Sequence, residues 1–255
     1  MAPKKQKPAR KAAPSKAVAA ALGDLVIANR ILANEGVIDA FGHVSIRHPE
    51  RADRYFLARS RSPELVERGD LMEFDLDSNP VDADARTMYS ERPIHGCIYK
   101  ARPDVKSVCH NHAHSLIPFG VTGGAIKPIW HVAGSIGAEV PIWDIREEFG
   151  ETDLLVTNND LGNSLAKKLG KNRACLMRGH GAVVATHDLK ASVFVAIYLM
   201  ANARLLREAR EMGQVTYLSE GEIKLTEQMN FKQRSQNRAW EYWARRAGFK
   251  TAVND

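Results

Sequence analysis

The sequence has few cysteines and no long apolar run, and these absences exclude several classes of protein. Its three cysteines, Cys97, Cys109 and Cys175, form neither a CxxC motif nor a disulfide framework. No stretch of about 18 consecutive apolar residues predicts a transmembrane helix. The amino-terminal segment also lacks the apolar core of a secretory signal. We therefore expect a cytoplasmic protein with reduced thiols and no membrane partner.

The first 16 residues contain no acidic side chain, although they hold six Lys and Arg residues. The rest of the chain has 30 basic and 30 acidic residues, so the net charge of +6 belongs to this segment. Its Lys, Pro and Ala residues offer too little apolar surface to offset the entropy lost on ordering. We expect residues 1–16 to be a disordered basic tail without a nucleic-acid partner. Residues 17–255 are predicted to form a single domain with a C-terminal helical extension.

Hydrophobic patterns of helix and strand alternate along the chain, which is typical of an α/β protein. The predicted helices cover residues 16–35, 90–101, 160–169, 188–212 and a last segment that ends near 246. The predicted strands cover residues 54–59, 71–76, 104–112 and 139–145, followed by two strands within 173–186. Residues 120–128 are predicted to be a glycine-rich loop, and Ser90 to be the N-cap of the second helix.

Three histidines alternate in the segment CHNHAH, residues 109–114. Residues two apart on a strand share a face, so His110, His112 and His114 would all point the same way. Such an HxH pattern gives a strand two metal ligands one pleat apart, but polar strand faces also contain histidines without metal. The pattern alone therefore leaves both interpretations open.

Two further segments favour a metal site. In RGHGAVVA, His180 lies between two glycines, where a tight turn would hold its imidazole outward. In SERPIH, Glu91 lies at the start of the predicted helix, with His95 four residues later. A helix–loop–strand connection would bring Glu91 towards His110 and His112. Three imidazoles and a carboxylate suit Zn²⁺ or Mn²⁺, either as four ligands or as three ligands beside an acid/base.

The segments SERPIH, ARPDVKSVCHNHAH and RGHGAVV together resemble the class II aldolase/adducin family over about residues 20–215. The resemblance implies a three-layer α/β/α domain around a mostly antiparallel sheet, assembled as a homotetramer with active sites at subunit interfaces. It further implies one divalent metal ion held by His110, His112 and His180, with Glu91 as the acid/base. His114 is then not a ligand. Whether His114, His131 or Tyr217 reaches the pocket stays open.

The chain departs from the sugar-phosphate members at both segments that bind the substrate phosphate. Here those segments read Gly42-His43-Val44-Ser45 and Arg59-Ser60. A guanidinium at Arg59, with His43 beside it, suits a carboxylate better than a phosphate that requires close backbone approach. The alternative is that Arg59 forms an ion pair with a neighbouring acid. We expect His43, Arg59, Ser60 and Ser90 to contact the substrate.

A metal site of this kind stabilises the enolate that forms when a carbon–carbon bond breaks. The resemblance is closest to the decarboxylase branch, whose members act on hydroxylated pyridine or benzene dicarboxylates. We therefore predict a metal-dependent lyase that decarboxylates a hydroxy-(hetero)aromatic carboxylate or dicarboxylate, with Glu91 moving the proton. The alternatives are an aldolase that cleaves an unphosphorylated hydroxy-keto acid and, in another class, a non-catalytic adducin-like assembly module.

Overall fold

Seven strands form one mixed sheet at the centre of the molecule. The computed structural model describes residues 13–82 and 85–250. The strands are β1 (His43–Arg47), β2 (Arg54–Ala58), β3 (Leu71–Asp75), β4 (Ser107–Asn111), β5 (Ile142–Trp143), β6 (Ala174–Met177) and β7 (Gly181–Thr186). Their order is β3-β2-β1-β4-β7-β6-β5, with β5 and β6 parallel and the other neighbours antiparallel. This confirms the mostly antiparallel sheet that the family resemblance implies.

Helices cover both faces of the sheet and complete the expected three layers. The helices are α1 (Lys16–Asn34), α2 (Pro93–Ala101), α3 (Ile117–Thr122), α4 (Arg146–Phe149), α5 (Asn159–Leu169), α6 (Leu189–Met212), α7 (Glu220–Asn230) and α8 (Gln233–Arg246). Apolar side chains of α1, α6 and α8 pack on one face of the sheet. Those of α2 and α5 pack on the other. Alternate residues of each central strand therefore enter different halves of the core.

The start of helix α1 agrees with its prediction, whereas several other boundaries differ from the predicted ones. Helix α1 begins at Lys16, because the Ser15 hydroxyl accepts a hydrogen bond from the Val18 N–H and caps it. Helix α2 begins at Pro93, three residues later than predicted, so Ser90 is not its N-cap. The predicted strand over 139–145 shortens to the two residues of β5. The predicted tail lies outside the described residues as far as residue 12, so its disorder stays a prediction.

The predicted loop over 120–128 begins inside a helix. Helix α3 ends at Thr122, and Gly123 follows it with a φ of 71°. This left-handed conformation, which glycine adopts readily, stops the helix. The rest of the predicted loop, residues 123–128, has no regular structure.

Helices α1 and α6 are each long and apolar enough to cross a membrane by length and composition. Both instead place apolar side chains in the core, including Leu25 and Ile31 of α1 and Leu199 and Leu206 of α6. The apolar composition of these two helices is therefore accounted for by their packing on the sheet.

The pairing of β1 with β4 determines where the polar residues of the site lie. His43 lies opposite His110, and Val44 lies opposite Cys109. Val44 and Cys109 belong to the core half beneath α1 and α6. Because side chains alternate along a strand, His43 and His110 point to the other face, towards α2.

Candidate metal centre and active site

Four side chains that the sequence predicted as metal ligands and acid/base come together in the structure. The ligand atoms of Glu91, His110, His112 and His180 all lie within 4.8 Å of one another. The Nε2 atoms of His110 and His112 are 3.0 Å apart, and Glu91 Oε2 lies 3.6 and 3.5 Å from Nε2 of His110 and His180. Donors held about 2.1 Å from one tetrahedral ion would be about 3.4 Å apart. The cluster therefore fits a divalent metal ion.

A backbone contact sets the proton of His110 on the correct nitrogen for metal binding. His110 Nδ1 lies 3.2 Å from the carbonyl oxygen of Ala182, which only accepts hydrogen bonds. Nδ1 must therefore donate, and in the neutral imidazole Nε2 has its lone pair directed at the cluster. His110 is fully buried, so this arrangement is shielded from water.

His180 reaches the cluster from the tight turn between β6 and β7. Gly179 has a φ of 67°, in the left-handed region that glycine tolerates. At Gly181 a Cβ atom would lie 2.1 Å from the carbonyl oxygen of Asn111, so no side chain fits there. The two glycines let the chain reverse against β4 and direct the imidazole at His110 and His112, as the sequence predicted.

Glu91 is nearly buried, and a backbone hydrogen bond fixes one of its two carboxylate oxygens. Its Oε1 accepts a hydrogen bond of 2.9 Å from the Val156 N–H, while Oε2 faces His110 and His180. Burial by itself raises the pKa of Glu91, but the hydrogen bonds and charges of His110 and His180 outweigh it and hold the pKa well below its usual range. Glu91 is thus a carboxylate with one oxygen fixed and the other directed at the cluster.

A buried hydrogen-bonded chain leads away from the cluster through His43. His43 Nδ1 lies 2.6 Å from His95 Nε2, and His95 Nδ1 lies 2.6 Å from Ser45 Oγ. Ser45 Oγ in turn lies 2.7 Å from the Tyr99 hydroxyl. Since Nδ1 of His43 is occupied, its Nε2 is the nitrogen left for a ligand. We call these four side chains the relay.

Three histidines beside the site, His43, His95 and His112, have a lowered pKa, which favours the neutral imidazole. Burial, followed by the nearby His110, lowers the pKa of His95 to about 3. Burial, with His110 and His180 beside it, lowers the pKa of His112 to about 4. Burial and the adjacent His95 also lower the pKa of His43 well below its usual range.

The cluster opens into a cavity of about 570 Å³ that would accommodate a small aromatic acid. Three of the four side chains expected to contact the substrate, His43, Ser60 and Ser90, line this cavity. The fourth, Arg59, is not among the described residues that line it. Its Nε instead lies 2.6 Å from Oδ1 of Asp70, which is the ion pair that the sequence left as the alternative.

Arg61, two residues after Arg59, lines the cavity in its place. Arg61 was not predicted, because the segment that corresponds to the second phosphate-binding segment of the sugar-phosphate members is Arg59-Ser60. Asp70, Ser45 and Tyr99 had no predicted role. His95 was noted only for sharing a face with Glu91. No local pattern marks these residues, since their partners lie far away in the chain.

Three other aromatic side chains whose positions were open lie elsewhere. His114 lines a separate cavity of about 670 Å³ with Trp130 and Arg204. His131 lines a third cavity of about 650 Å³ among the C-terminal helices. The Tyr217 hydroxyl accepts a hydrogen bond of 3.2 Å from Arg210. None of the three is among the described residues that line the cavity beside the cluster.

Comparisons with known proteins identify relatives that match most of the chain. Residues 23–206 match the Class II Aldolase and Adducin N-terminal domain. The chain is 36% identical over 239 residues to the decarboxylase tropJ of Talaromyces stipitatus, covering 84% of this chain and 89% of that protein. It is 28% identical over 204 residues to a 3,4-dihydroxyphthalate decarboxylase of Arthrobacter keyseri, covering 74% and 78%. The resemblance to the decarboxylase branch is thereby confirmed.

Solved structures show the same fold at lower sequence identity. An L-fuculose 1-phosphate aldolase from Glaciozyma antarctica superposes with a TM-score of 0.76 at 20% identity, covering 94% of this chain and 93% of the other. An aldolase II superfamily protein from Pseudomonas syringae superposes with a TM-score of 0.74 at 19% identity, covering 92% and 94%. The matched domain and the relatives named as decarboxylases are consistent with a metal-dependent lyase. The chain belongs to the class II aldolase and adducin family.

Proposed function

We propose that the protein is a divalent-metal-dependent decarboxylase of a hydroxy-(hetero)aromatic carboxylate or dicarboxylate. The observation that supports this most strongly is the convergence of Glu91, His110, His112 and His180 beside a cavity that also contains His43 and Arg61. A cavity with a cation and an imidazole suits an anionic aromatic acid. The relatives named as decarboxylases, including one of a dihydroxyphthalate, support the same reaction.

His110, His112 and His180 would hold the metal ion, and Glu91 would serve either as a fourth ligand or as the group that moves the proton. Three imidazoles and a carboxylate are ligands for both Zn²⁺ and Mn²⁺. When bound, the ion acts as a Lewis acid that stabilises the negative charge developing on the substrate. Neutral imidazole ligands leave the charge of the ion undiminished for this purpose.

Glu91 is placed to transfer one proton within the substrate. Its free Oε2 would take the proton of the hydroxyl that is ortho to the carboxylate. Glu91 would then deliver that proton to the ring carbon that holds the carboxylate. The carbon–carbon bond next breaks, CO₂ leaves, and the electron pair of that bond restores the aromatic phenolate. The phenolate finally takes a proton from water, so charge and atoms balance.

The test of this function is a substrate panel with the products identified. Protein loaded with Zn²⁺ or Mn²⁺ should release CO₂ from ortho-hydroxy aromatic acids. Glu91→Gln should lower kcat by about 100- to 10,000-fold, because an amide cannot accept and return the proton. Metal content should be measured for both proteins. Release of pyruvate or an aldehyde from a hydroxy-keto acid, without CO₂ from any aromatic acid, would establish the aldolase alternative instead.

A non-catalytic assembly role has less support, since an assembly module would not need three histidines and a carboxylate around one point. Absence of stoichiometric divalent metal from the purified protein would favour that role. We further propose a cytoplasmic homotetramer with active sites at its interfaces. The three cysteines, all unpaired and buried, are compatible with a reducing compartment. Light scattering would measure the oligomer size.

A further inference from the structure

We propose that Arg61, and not Arg59, forms a carboxylate subsite that makes the protein prefer aromatic dicarboxylates to monocarboxylates. This inference rests on the proposed function, because it concerns the same cavity. Arg61 is the residue added to that function, and a second carboxylate on the substrate is the feature that it would recognise. The two arginines differ in how closely they contact Asp70.

Arg59 forms a close ion pair with Asp70, which gives Arg59 a structural role. The carboxylate of Asp70 is nearly buried, and its Oδ1 lies 2.6 Å from Nε of Arg59. Its Oδ2 also accepts a hydrogen bond of 2.9 Å from the Glu67 N–H. This hydrogen bond and the guanidinium of Arg59 outweigh burial and keep the pKa of Asp70 below its usual range. Arg59 therefore has a charged partner already and does not require a ligand.

Arg61 holds the same aspartate less closely. Its Nε lies 3.4 Å from Asp70 Oδ2 and its Nη1 lies 3.4 Å from Oδ1. The buried Nε of Arg61 has no hydrogen bond with good geometry among the described residues. The contacts with Asp70 involve only Nε and Nη1, so the guanidinium of Arg61 keeps N–H donors for a second acceptor. A carboxylate in the cavity would provide that acceptor.

Arg61 is also a cation that lines the cavity. Within the described residues it is the one Arg or Lys that lines the cavity, between Ser60 and Ser62. The Tyr89 hydroxyl donates a hydrogen bond to its backbone carbonyl, and the Tyr89 ring lies 4.5 Å from that of His43. The backbone of Arg61 is thus fixed to the same wall as His43. The same cavity is therefore lined by members of the cluster and by a guanidinium.

A guanidinium binds a carboxylate through two parallel hydrogen bonds, which an ammonium cannot reproduce. A monocarboxylate whose single carboxylate is directed at the cluster would leave Arg61 without a ligand. A dicarboxylate could direct one carboxylate at the cluster and the other at Arg61. The structure thus assigns to Arg61 the choice between these two substrate classes.

The test measures binding of two unreactive probes, phthalate and benzoate, by calorimetry to full-length protein loaded with Zn²⁺. Wild-type protein should bind phthalate about 10- to 100-fold more tightly than benzoate, the range expected for hydrogen bonds to a charged group. Arg61→Lys should lose most of that preference, and Arg61→Gln should lose nearly all of it. Arg59→Lys is the matched control, because it keeps a cation beside Asp70, and should retain the preference.

The outcomes separate this inference from the proposed reaction, because neither probe can be decarboxylated by ortho-hydroxyl chemistry. Loss of the preference in Arg59→Lys with no change in Arg61→Lys would assign the subsite to Arg59. Equal binding of both probes to wild-type protein would overturn the inference altogether. Thermal unfolding of each variant identifies any that misfolds, and Arg61→Gln and Arg61→Lys then serve as independent substitutions. A preference that depends on Arg61 would stand even if no panel compound released CO₂.

Discussion

Four polar side chains lie in the core beside the cluster, and each has a hydrogen-bond partner within the relay. His43, His95, Ser45 and Tyr99 are all buried. A buried polar group that loses its partner costs about 1–3 kcal/mol, whereas a satisfied one is close to neutral. His95 and Ser45 each have a relay partner on both sides, and the two nitrogens of His95 contact His43 and Ser45.

The position of His95 within the relay predicts that His95→Leu destabilises the protein more than Tyr99→Phe does. His95→Leu removes two hydrogen bonds and leaves His43 and Ser45 without them, so the free energy of unfolding should fall by about 3 kcal/mol or more. Tyr99→Phe keeps the ring and removes one hydroxyl. It should lower the free energy of unfolding by only about 1 kcal/mol. Urea unfolding measures both values, and equal losses would show that the relay does not act as described.

Strands β4 and β7 approach each other so closely at the site that one position tolerates no side chain. Gly181 opens β7, and it lies against the backbone of Asn111 at the end of β4. Because the contact is with backbone, relief would require the two strands to separate. His180 and His112 lie next to these two residues in the chain, so the close approach also sets the spacing of the metal ligands.

Gly181→Ala should therefore destabilise the protein and weaken metal binding together. The added methyl group would overlap the Asn111 carbonyl, and we expect a loss of about 3 kcal/mol in the free energy of unfolding. The control is Gly23→Ala in α1, where no atom lies within 4 Å of the added carbon. That substitution should increase stability by about 0.5–1 kcal/mol through helix propensity. Urea unfolding and metal titration of both variants test the pair; a fully stable Gly181→Ala would contradict the predicted overlap.

Long elements were predicted from the sequence more accurately than short ones. Helices α5 and α6 agree with prediction to within one residue, because each repeats an apolar face over several turns. Strand β1 was not predicted. Its sequence HVSIR alternates polar and apolar residues but is buried throughout, since His43 and Ser45 have buried partners on α2 and Arg47 donates to backbone carbonyls. A sequence pattern cannot show that a polar side chain has found such partners.

At the scale of the molecule, the cluster joins three separate parts of the chain. Glu91 precedes α2, His110 and His112 lie at the end of β4, and His180 lies in the turn between β6 and β7. An ion bound by all three parts in the folded state alone stabilises that state by mass action. At free metal about 100 times its Kd, this amounts to about 2.7 kcal/mol.

Chelation of the metal should therefore lower the melting temperature by about 5–10 °C, given the usual relation between free energy and Tm for a chain of this size. His180→Ala should melt at the same temperature with and without chelator, because a ligand has been removed. His114→Ala should behave like the wild type, since His114 lines a different cavity. Scanning calorimetry with and without EDTA provides the measurement. A chelator response that depended on His114 would contradict the assignment of the ligands.

The basic segment at the amino terminus should be separable from the folded body. Deletion of residues 1–14 keeps Ser15, whose hydroxyl caps α1 and bonds to Glu50. It removes five basic side chains and no acidic one. We expect unchanged melting temperature and decarboxylation rate, with weaker retention on heparin because the remaining chain is almost neutral. Loss of activity on deletion would show that the segment contributes to the site.

The sequence alone determined the family, the layered α/β fold and the four side chains of the cluster. It could do so because those residues lie in local motifs with distinctive spacing and flanking glycines. Only the tertiary structure decided which cation lines the cavity. Arg59 and Arg61 are two residues apart and chemically identical, and they differ because Asp70 pairs closely with Arg59. Ion pairs of this kind depend on distances between chain segments, which neither composition nor spacing contains.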